Sequence, residues 1–196
     1  MNYYRYLPEC NEEYYLSCVN DKIYNDFGFL FSFLTECKKI EKWDKRNTIF
    51  FERKRKVRDI VESPLPEPCV SERLKKLLEE KAEINKHRED IQFFPINIVN
   101  WNDPEDKIEG YYLMHILNLV ENSVYEWHSE GYRKHGIPEY TGEVTFEKEK
   151  INGLQIFREK KAIKKRFFFS QAVKDIFDHD CDLEDYIAKY LEYYVK

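Results

Sequence analysis

The chain has 196 residues, of which 42% are hydrophobic and 16% aromatic, so it can bury one sizeable core. Its 32 basic and 37 acidic residues give a net charge of −5. That balance excludes a global electrostatic attraction to nucleic acid and suits a basic partner better.

The five cysteines are odd in number and lie far apart, unlike the closely spaced framework of a small disulfide-rich secreted domain. The N-terminal residues lack the charged, apolar and small-residue regions of a cleavable leader. No segment approaches the roughly 18 apolar residues of a membrane span. We therefore expect a soluble, cytoplasmic protein that does not act at a membrane.

The first third of the chain is predicted to be rich in short strands. Aromatic and β-branched residues favour strands at 2–7, 14–19, 48–51 and 57–61. The run 26–43 begins like a strand and ends with a helical pattern, so its type stays open. Three prolines in SPLPEP at 63–68 remove backbone donors and predict a linker. We divide the chain into a strand-rich lobe over 1–62 and a core over 63–196, or take both as one continuous domain.

One short phrase occurs twice, as CVSERLKKLL at 69–78 and as FFSQAVKDIF at 168–177. In each, an apolar or aromatic pair leads through a serine into an amphipathic run. The hydroxyls of Ser71 and Ser170 can each accept a hydrogen bond from an unpaired amide of the first helical turn. Each phrase therefore predicts a strand that leads into a capped helix. A duplication and a local solution reached twice both fit this similarity.

The region between the two phrases favours strands. QFFPINIV at 92–99 is a predicted strand whose Pro95 suits an edge or a bulge, and NWNDPEDKIEG at 100–110 is a predicted loop. YYLMHILNLV at 111–120 fits a buried helix or, as we prefer, a strand buried on both faces. The dipeptide at 152–153, Asn-Gly, predicts a hairpin turn.

The last part of the chain favours a helix. Asp182 is a predicted cap for a terminal helix with an apolar side, formed by Leu183, Ile187, Tyr190, Leu191 and Tyr194. Together the elements predict an α+β fold. It combines a mixed or antiparallel sheet with a few amphipathic helices and two similar units of strand and capped helix.

Candidate metal and cofactor sites are few. Asp178, Asp180 and Asp182 alternate like the start of a calcium loop. Such a loop needs Gly at its sixth position and Glu at its twelfth, where this chain has Leu183 and Lys189. A solvated acidic turn is the simpler interpretation. We predict no metal and no cofactor.

Candidate catalytic residues are equally weak. His128 and His135 could work with Glu126 or Glu130 in acid–base chemistry, but their spacing fixes no geometry. The better-known hydrolase, zincin and nucleotide-binding signatures do not occur. The basic run at 53–58 is surrounded by acidic residues, which disfavours a nucleic-acid site.

The chain resembles a known family in the order and spacing of five segments. They are VSERLKKLLEE, DIQFFPINIV, GYYLMHILNLV, LQIFRE and RFFFSQAVKDIF. This order over about residues 55–178 resembles the bacterial immunity proteins of polymorphic-toxin systems, the immunity protein 11 type and its relatives. Residues 1–54 fit only loosely. The resemblance also leads us to expect a short strand-like ending, where the residue pattern favours a helix.

The resemblance implies a non-enzymatic inhibitor, made beside a toxin, that binds the toxin tightly. We expect the partner to be a cognate toxin domain with basic character, because acidic and aromatic residues suit contacts with a basic surface. The candidate contacts are Trp101, Asp103, Glu105, Tyr125, Trp127, Tyr132, Asp178, Asp180 and Asp182. Two alternatives stay open, a small hydrolase or nuclease and a protein-binding domain without a toxin partner.

Overall fold

The structure is a computed structural model that describes residues 3–6, 18–19, 34, 36–43, 48–51, 58–61, 65, 67–121, 124–125, 144–159, 167–182 and 191–193. It confirms the predicted α+β fold. The strands are β1 Tyr3–Arg5, β2 Cys18–Val19, β3 Thr48–Phe51, β4 Ile60–Val61, β5 Cys69–Ser71, β6 Ile91–Asn100, β7 Asp103–Ile116, β8 Leu119–Val120, β9 Val124–Tyr125, β10 Val144–Thr145, β11 Ile156–Glu159, β12 Phe168–Ser170 and β13 Leu191–Tyr193. The helices are α1 Glu72–Lys81, α2 Lys148–Ile151 and α3 Gln171–His179.

The described strands form two mixed sheets and one small ribbon. The larger sheet has the order β2-β3-β6-β7-β5-β4, the smaller has the order β13-β1-β12-β11-β8, and β9 pairs with β10. In each mixed sheet one neighbouring pair is parallel, β3 with β6 and β11 with β8. Strands from the first 62 residues occur in both sheets, and β1 lies between β12 and β13. The boundary at 62 stays a prediction.

Both predicted helix caps are confirmed. The Ser71 hydroxyl accepts a hydrogen bond from the Leu74 amide at 3.0 Å, and the Ser170 hydroxyl accepts one from the Val173 amide at 3.5 Å. Both serines have extended backbone, so each ends a strand and begins a helix.

The two capped units share more than their caps. The amides of Ser71 and Ser170 donate to the carbonyls of Asp59 and Gln155, each at 2.9 Å. Each serine hydroxyl also donates to the side chain of that same residue. Asp59 directly precedes β4 and Gln155 directly precedes β11, the antiparallel partners of β5 and β12. Both units therefore have the same arrangement of two antiparallel strands and a capped helix.

One buried cluster joins the two sheets through α1 and α3. The helices contribute Leu74, Leu78, Val173, Ile176 and Phe177. The larger sheet contributes Ile60, Val70, Ile91, Met114 and Ile116, and the smaller contributes Tyr4, Ile156 and Phe169. Because α1 and α3 also contact each other, the two capped units meet in this core.

The β6–β7 hairpin is longer than predicted. The interpretation of 100–110 as a loop was wrong, because Trp101 and Asn102 form the turn and β7 begins at Asp103. Pairing with β6 makes this polar segment a strand despite its low intrinsic preference. The preference for a strand at 111–120 is confirmed over 111–116, where the residues from Leu113 to Ile116 are all buried.

Pro95 occupies the kind of position that was predicted for it. It lies on β6 beyond the end of β3, because β3 pairs with β6 only over 97–100. The register between β6 and β7 also shifts between Ile96 and Ile98. A proline is tolerated at such a place, where fewer ladder bonds depend on its missing donor.

Three other predictions need correction. The 152–153 dipeptide forms no hairpin turn, because residues 148–151 are helix α2 and Gly153, at φ +76°, follows its end. The described part of the predicted linker is buried at Leu65 and Glu67. The prediction of a terminal helix is wrong at 191–193, because these residues form a strand that pairs with β1, as the family resemblance implied. Residues 183–190 and 194–196 lie outside the described residues.

Replacement of Ser71 by alanine should lower the free energy of unfolding by about 1 to 2 kcal/mol, because the Leu74 amide loses its cap and Asp59 loses a donor. Urea titration measures this change. Ser71→Thr keeps a hydroxyl and serves as the control. Equal losses in the two variants would contradict a capping role.

Candidate functional site

The exposed end of the β6–β7 hairpin, residues 101–110, is called the hairpin tip below. Trp101 in its turn is 57% exposed, an uncommon state for so large an apolar side chain. Its indole packs edge-on against Phe50, with ring centroids 5.1 Å apart. Its amide donates to the Phe51 carbonyl at 2.7 Å. The tryptophan is thus held in place by β3 while much of its surface faces solvent.

The hairpin tip is strongly acidic. It carries four carboxylates, on Asp103, Glu105, Asp106 and Glu109, against one ammonium group on Lys107. All except Asp106 are exposed. Asp106 accepts a hydrogen bond from Asn100 at 3.0 Å, which ties the two strands together. The sequence-predicted Trp101, Asp103 and Glu105 therefore lie on one surface that combines an aromatic group with negative charge.

A groove of about 490 Å³ runs beside the hairpin tip. Residues 95–99 of β6 and 107–112 of β7 line it together with Thr48 of β3. The register shift between the two strands falls within this groove, opposite Gly110, whose φ of +75° favours glycine. The groove is therefore part of the same end of the hairpin as Trp101.

Of the second group of predicted contact residues, Tyr125, Trp127 and Tyr132, the structure describes only Tyr125. Tyr125 lies on β9 and pairs with Val144 of β10. Trp127 and Tyr132 lie outside the described residues, as do the candidate catalytic residues His128 and His135. Their predicted roles stay predictions.

The third group of predicted contact residues lies at the end of α3 and just after it. Each of these carboxylates forms an ion pair with a Lys or Arg side chain of the same chain. Asp178 pairs with Lys174, Asp180 pairs with Lys81 at 2.7 Å, and Asp182 pairs with Arg58. Their candidate role in partner binding stays a prediction. In the part of the chain that the structure describes, no group of three or more His, Cys, Asp or Glu residues could hold a metal ion.

Asp59 connects these ion pairs to the first capped unit. Besides the Ser71 hydroxyl, its carboxylate accepts hydrogen bonds from the Arg73 guanidinium at 3.1 Å and from the Asp182 amide at 2.9 Å. Arg73 also donates to the Asp180 carbonyl. The end of α3 is therefore tied to the start of α1, which suits a structural function for Asp180 and Asp182.

A buried polar network, which the sequence analysis missed, links the two sheets. The Arg158 guanidinium on β11 donates to Glu67 Oε1 at 2.9 Å and to the Leu34 carbonyl at 3.1 Å. His115 on β7 places Nδ1 3.3 Å from the same Glu67 oxygen, and its Nε2–H donates to the Lys38 carbonyl at 2.7 Å. Glu67, His115 and Arg158 are all buried.

Cys37 extends this network. Arg158 hydrogen-bonds its sulfur, and burial raises the pKa of the Cys37 thiol to about 12. Glu67 and Cys37 also raise the pKa of Arg158, although burial opposes that shift. The guanidinium and the neutral thiol are therefore the stable forms in this interior.

The sequence held a weak signal for the network. His115 interrupts the apolar run YYLMHIL, and Arg158 directly follows an apolar pair in LQIFRE. A charged or polar residue inside such a run is either on an exposed face or buried with a partner. The partner could not be identified, because Glu67 stands in a segment that resembled a linker.

The chain matches the Immunity protein family (Imm11) over residues 9–182. It belongs to this family. The match confirms the resemblance and includes the hairpin tip and all of Glu67, His115 and Arg158. No curated protein is significantly similar to this Imm11 chain. Within the described residues, no helix is long and apolar enough to cross a membrane.

Replacement of one partner in the buried pair should strongly destabilise this Imm11 protein. We expect Arg158→Met and Glu67→Leu each to lower the free energy of unfolding by about 3 to 5 kcal/mol, because each leaves a buried charge without its partner. The double variant should lose clearly less than the sum of the two. A double-mutant cycle in urea measures the coupling. Lys76→Met, in an exposed pair with Glu72, is the control and should have far less effect. Additive losses in the cycle would contradict the coupling.

The thiols of Cys37 and Cys181 should resist alkylation. Burial raises the pKa of each to about 12, so almost none of either thiol is ionised at pH 8. We expect iodoacetamide to modify both at least about 100-fold more slowly in the folded protein than in guanidinium-unfolded chain. Peptide mass spectrometry measures the two rates. Equal rates at Cys37 in both states would show that this thiol is accessible and ionised.

Proposed function

We propose that this protein is a non-catalytic immunity protein that binds a cognate bacterial toxin domain and neutralises it in the cytoplasm of the cell that makes both. The observation that carries this proposal is the match to the Imm11 family over residues 9–182. The family implies a toxin partner. The exposed aromatic and acidic hairpin tip gives a surface on which such a partner can bind.

The hairpin tip has the properties of a binding surface. An interface gains most of its affinity from a few large aromatic or arginine side chains that become buried on association. Trp101 is such a side chain, and Phe50 and β3 hold it before any partner arrives. The surrounding carboxylates attract a basic surface over long distances and disfavour an acidic one. A basic toxin domain therefore fits this surface best.

The described polar residues support binding rather than catalysis. His115 has both ring nitrogens occupied inside the core, by Glu67 and by the Lys38 carbonyl. Asp178, Asp180 and Asp182 face cations of their own chain. A catalytic acid or base must reach a substrate, and these groups are directed toward the protein itself.

Co-expression tests the proposal. The toxin domain encoded beside this gene should arrest growth alone, and co-expression of this chain should restore growth and give a stable complex. Trp101→Ala should weaken the complex by at least about 30-fold, because it removes the exposed anchor. Calorimetry or surface plasmon resonance measures the affinity. Leu119→Ala, at the other exposed large apolar residue among those described, is the matched control and should bind like the wild type.

Two outcomes would contradict the proposal. Toxicity that persists although both proteins are soluble would exclude neutralisation of that toxin. The enzyme alternative predicts instead that His128→Ala or His135→Ala abolishes an activity of the isolated chain while leaving its unfolding transition unchanged. An immunity protein that does not use these residues for contact should protect cells equally well with either variant.

A further inference from the structure

We infer that the fold contains two copies of one module, and that the N-terminal strand β1 is the closing strand of the second copy. Each module consists of four strands and a serine-capped helix. The first comprises β4, β5, α1, β6 and β7, in that order along the chain. The second comprises β11, β12, α3 and β13, and its fourth strand is β1, which precedes them all in the chain. The second module is thus a permuted copy of the first.

The order and the direction of the strands are the same in the two modules. In the larger sheet the neighbours are β6, β7, β5 and β4, and in the smaller sheet they are β13, β1, β12 and β11. Every neighbouring pair within each module is antiparallel. Outside the modules, β2 and β3 extend the larger sheet beside β6, and β8 extends the smaller sheet beside β11. Under this correspondence β1 occupies the position of β7.

The register of β1 matches that of β7, and the paired residues are the same. In β7 the dipeptide 111–112, Tyr-Tyr, lies opposite Ser71 and the residue before it. In β1 the dipeptide 3–4, again Tyr-Tyr, lies opposite Ser170 and the residue before it. A slip of one residue in either strand would turn the side chains to the other face and destroy this match. The two tyrosine pairs are therefore equivalent in sequence, register and face.

The hydroxyl of the first tyrosine has an equivalent acceptor in each module. The Tyr111 hydroxyl donates to the Arg58 carbonyl at 2.6 Å. The Tyr3 hydroxyl donates to the Leu154 carbonyl at 3.0 Å and also lies 2.7 Å from the Ile151 carbonyl. Arg58 and Leu154 each directly precede the residue that accepts hydrogen bonds from the serine of the module. The tyrosine and the serine thus bind successive residues in both copies.

A main-chain hydrogen bond beyond each tyrosine pair is also repeated. The Met114 amide donates to the Pro68 carbonyl at 3.0 Å, and the Tyr6 amide donates to the Phe167 carbonyl at 2.8 Å. Each donor is the second residue after its tyrosine pair, and each acceptor directly precedes the strand that leads into the capped helix. The equivalence of β1 and β7 therefore continues past the paired residues.

Each helix contacts the second tyrosine through the same position. The Lys75 ammonium lies over the Tyr112 ring at 5.4 Å from its centroid, and the Lys174 ammonium lies over the Tyr4 ring at 5.3 Å. Both lysines are the fourth residue after the capping serine. Each also forms an ion pair with the carboxylate four residues further along its helix. The helix of each module therefore meets the closing strand in the same way.

These long-range features favour duplication over a local solution reached twice. A serine cap depends on neighbouring residues alone, so two caps can arise independently. The place of β1 does not depend on neighbouring residues, because β1 is far from Ser170 in sequence. It nevertheless repeats the dipeptide, the register and the contacts of β7. Duplication, with the closing strand of the second copy placed before its module, accounts for all of them.

A circular permutant tests the inference in the complete chain. It joins residue 196 to residue 1 and opens the chain between 101 and 102, so that β13 leads into β1 and the first module becomes the divided one. Because Tyr3 pairs with Tyr193, five residues, 194–196 and 1–2, connect the two strands, a length that is found in hairpins. The matched control has the same join but opens between 70 and 71, where the second module has no break.

The first permutant should unfold cooperatively, with a urea midpoint within about 1 M of the wild type. In this permutant and in the wild type, the amides of Tyr6 and Met114 should exchange at least about 100-fold more slowly than in the unfolded chain, because each is held by the neighbouring strand. The control permutant should show no cooperative transition, because its opening separates Ser71 from the strand that it ends.

Three outcomes would overturn the inference. A Tyr6 amide that exchanges in the wild type as fast as in the unfolded chain would exclude β1 from the second module. Failure of the first permutant to fold would show that the two modules are not equivalent. Equal stability of the two permutants would show that the position of the opening is unimportant, which also removes the equivalence. None of these measurements involves a toxin, so the inference and the proposed function can fail separately.

Discussion

The buried ion pair between Glu67 and Arg158 fixes how the two sheets meet. Arg158 belongs to the smaller sheet, while His115 belongs to the larger one, and both contact the same carboxylate oxygen of Glu67. A buried charge without its partner costs several kcal/mol, so arrangements that separate these residues are disfavoured. Apolar side chains alone tolerate several packings of two sheets, whereas this network fits one. The hairpin that carries the exposed surface therefore has a defined position on the scaffold.

The two capped units are the second part of this scaffold, and their helices α1 and α3 pack in one core. In each unit the serine at the end of the strand accepts a hydrogen bond from its helix through the hydroxyl oxygen. Its amide and its hydroxyl hydrogen donate to the residue that precedes the neighbouring strand. The structural similarity of the two units therefore goes beyond the repeated ten-residue phrase. Asp59 and Gln155 are different residue types but accept equivalent hydrogen bonds from the two serines. The carboxylate of Asp59 has a further use, because it also binds Arg73 and the Asp182 amide. The first unit thereby holds the end of the second.

The sequence predicted those parts of the fold that depend on neighbouring residues. A helix cap is decided within four residues, so Ser71 and Ser170 were identified, and the apolar run at 111–116 identified a buried strand. The wrong predictions concern segments whose structure is determined by contacts with residues far away in the sequence. The acidic segment from Asp103 to Gly110 is a strand because β6 pairs with it, and the C-terminal strand forms on β1. Glu67 was taken for part of a linker because its partners are 48 and 91 residues away.

This division between local and distant determinants also bears on recognition. The segment 103–110 is a strand through main-chain pairing, and its exposed side chains contribute little to the core. The exposed side chains at 103, 105, 107 and 109 can therefore be exchanged at little cost in stability, provided that Gly110 and the pairing with β6 remain. The buried network and the capped units cannot be exchanged in this way, since each of their groups has a partner that would be left unsatisfied. A protein built like this can change the exposed surface of its hairpin tip while it keeps one fold, because the groups that fix the fold lie elsewhere in the chain.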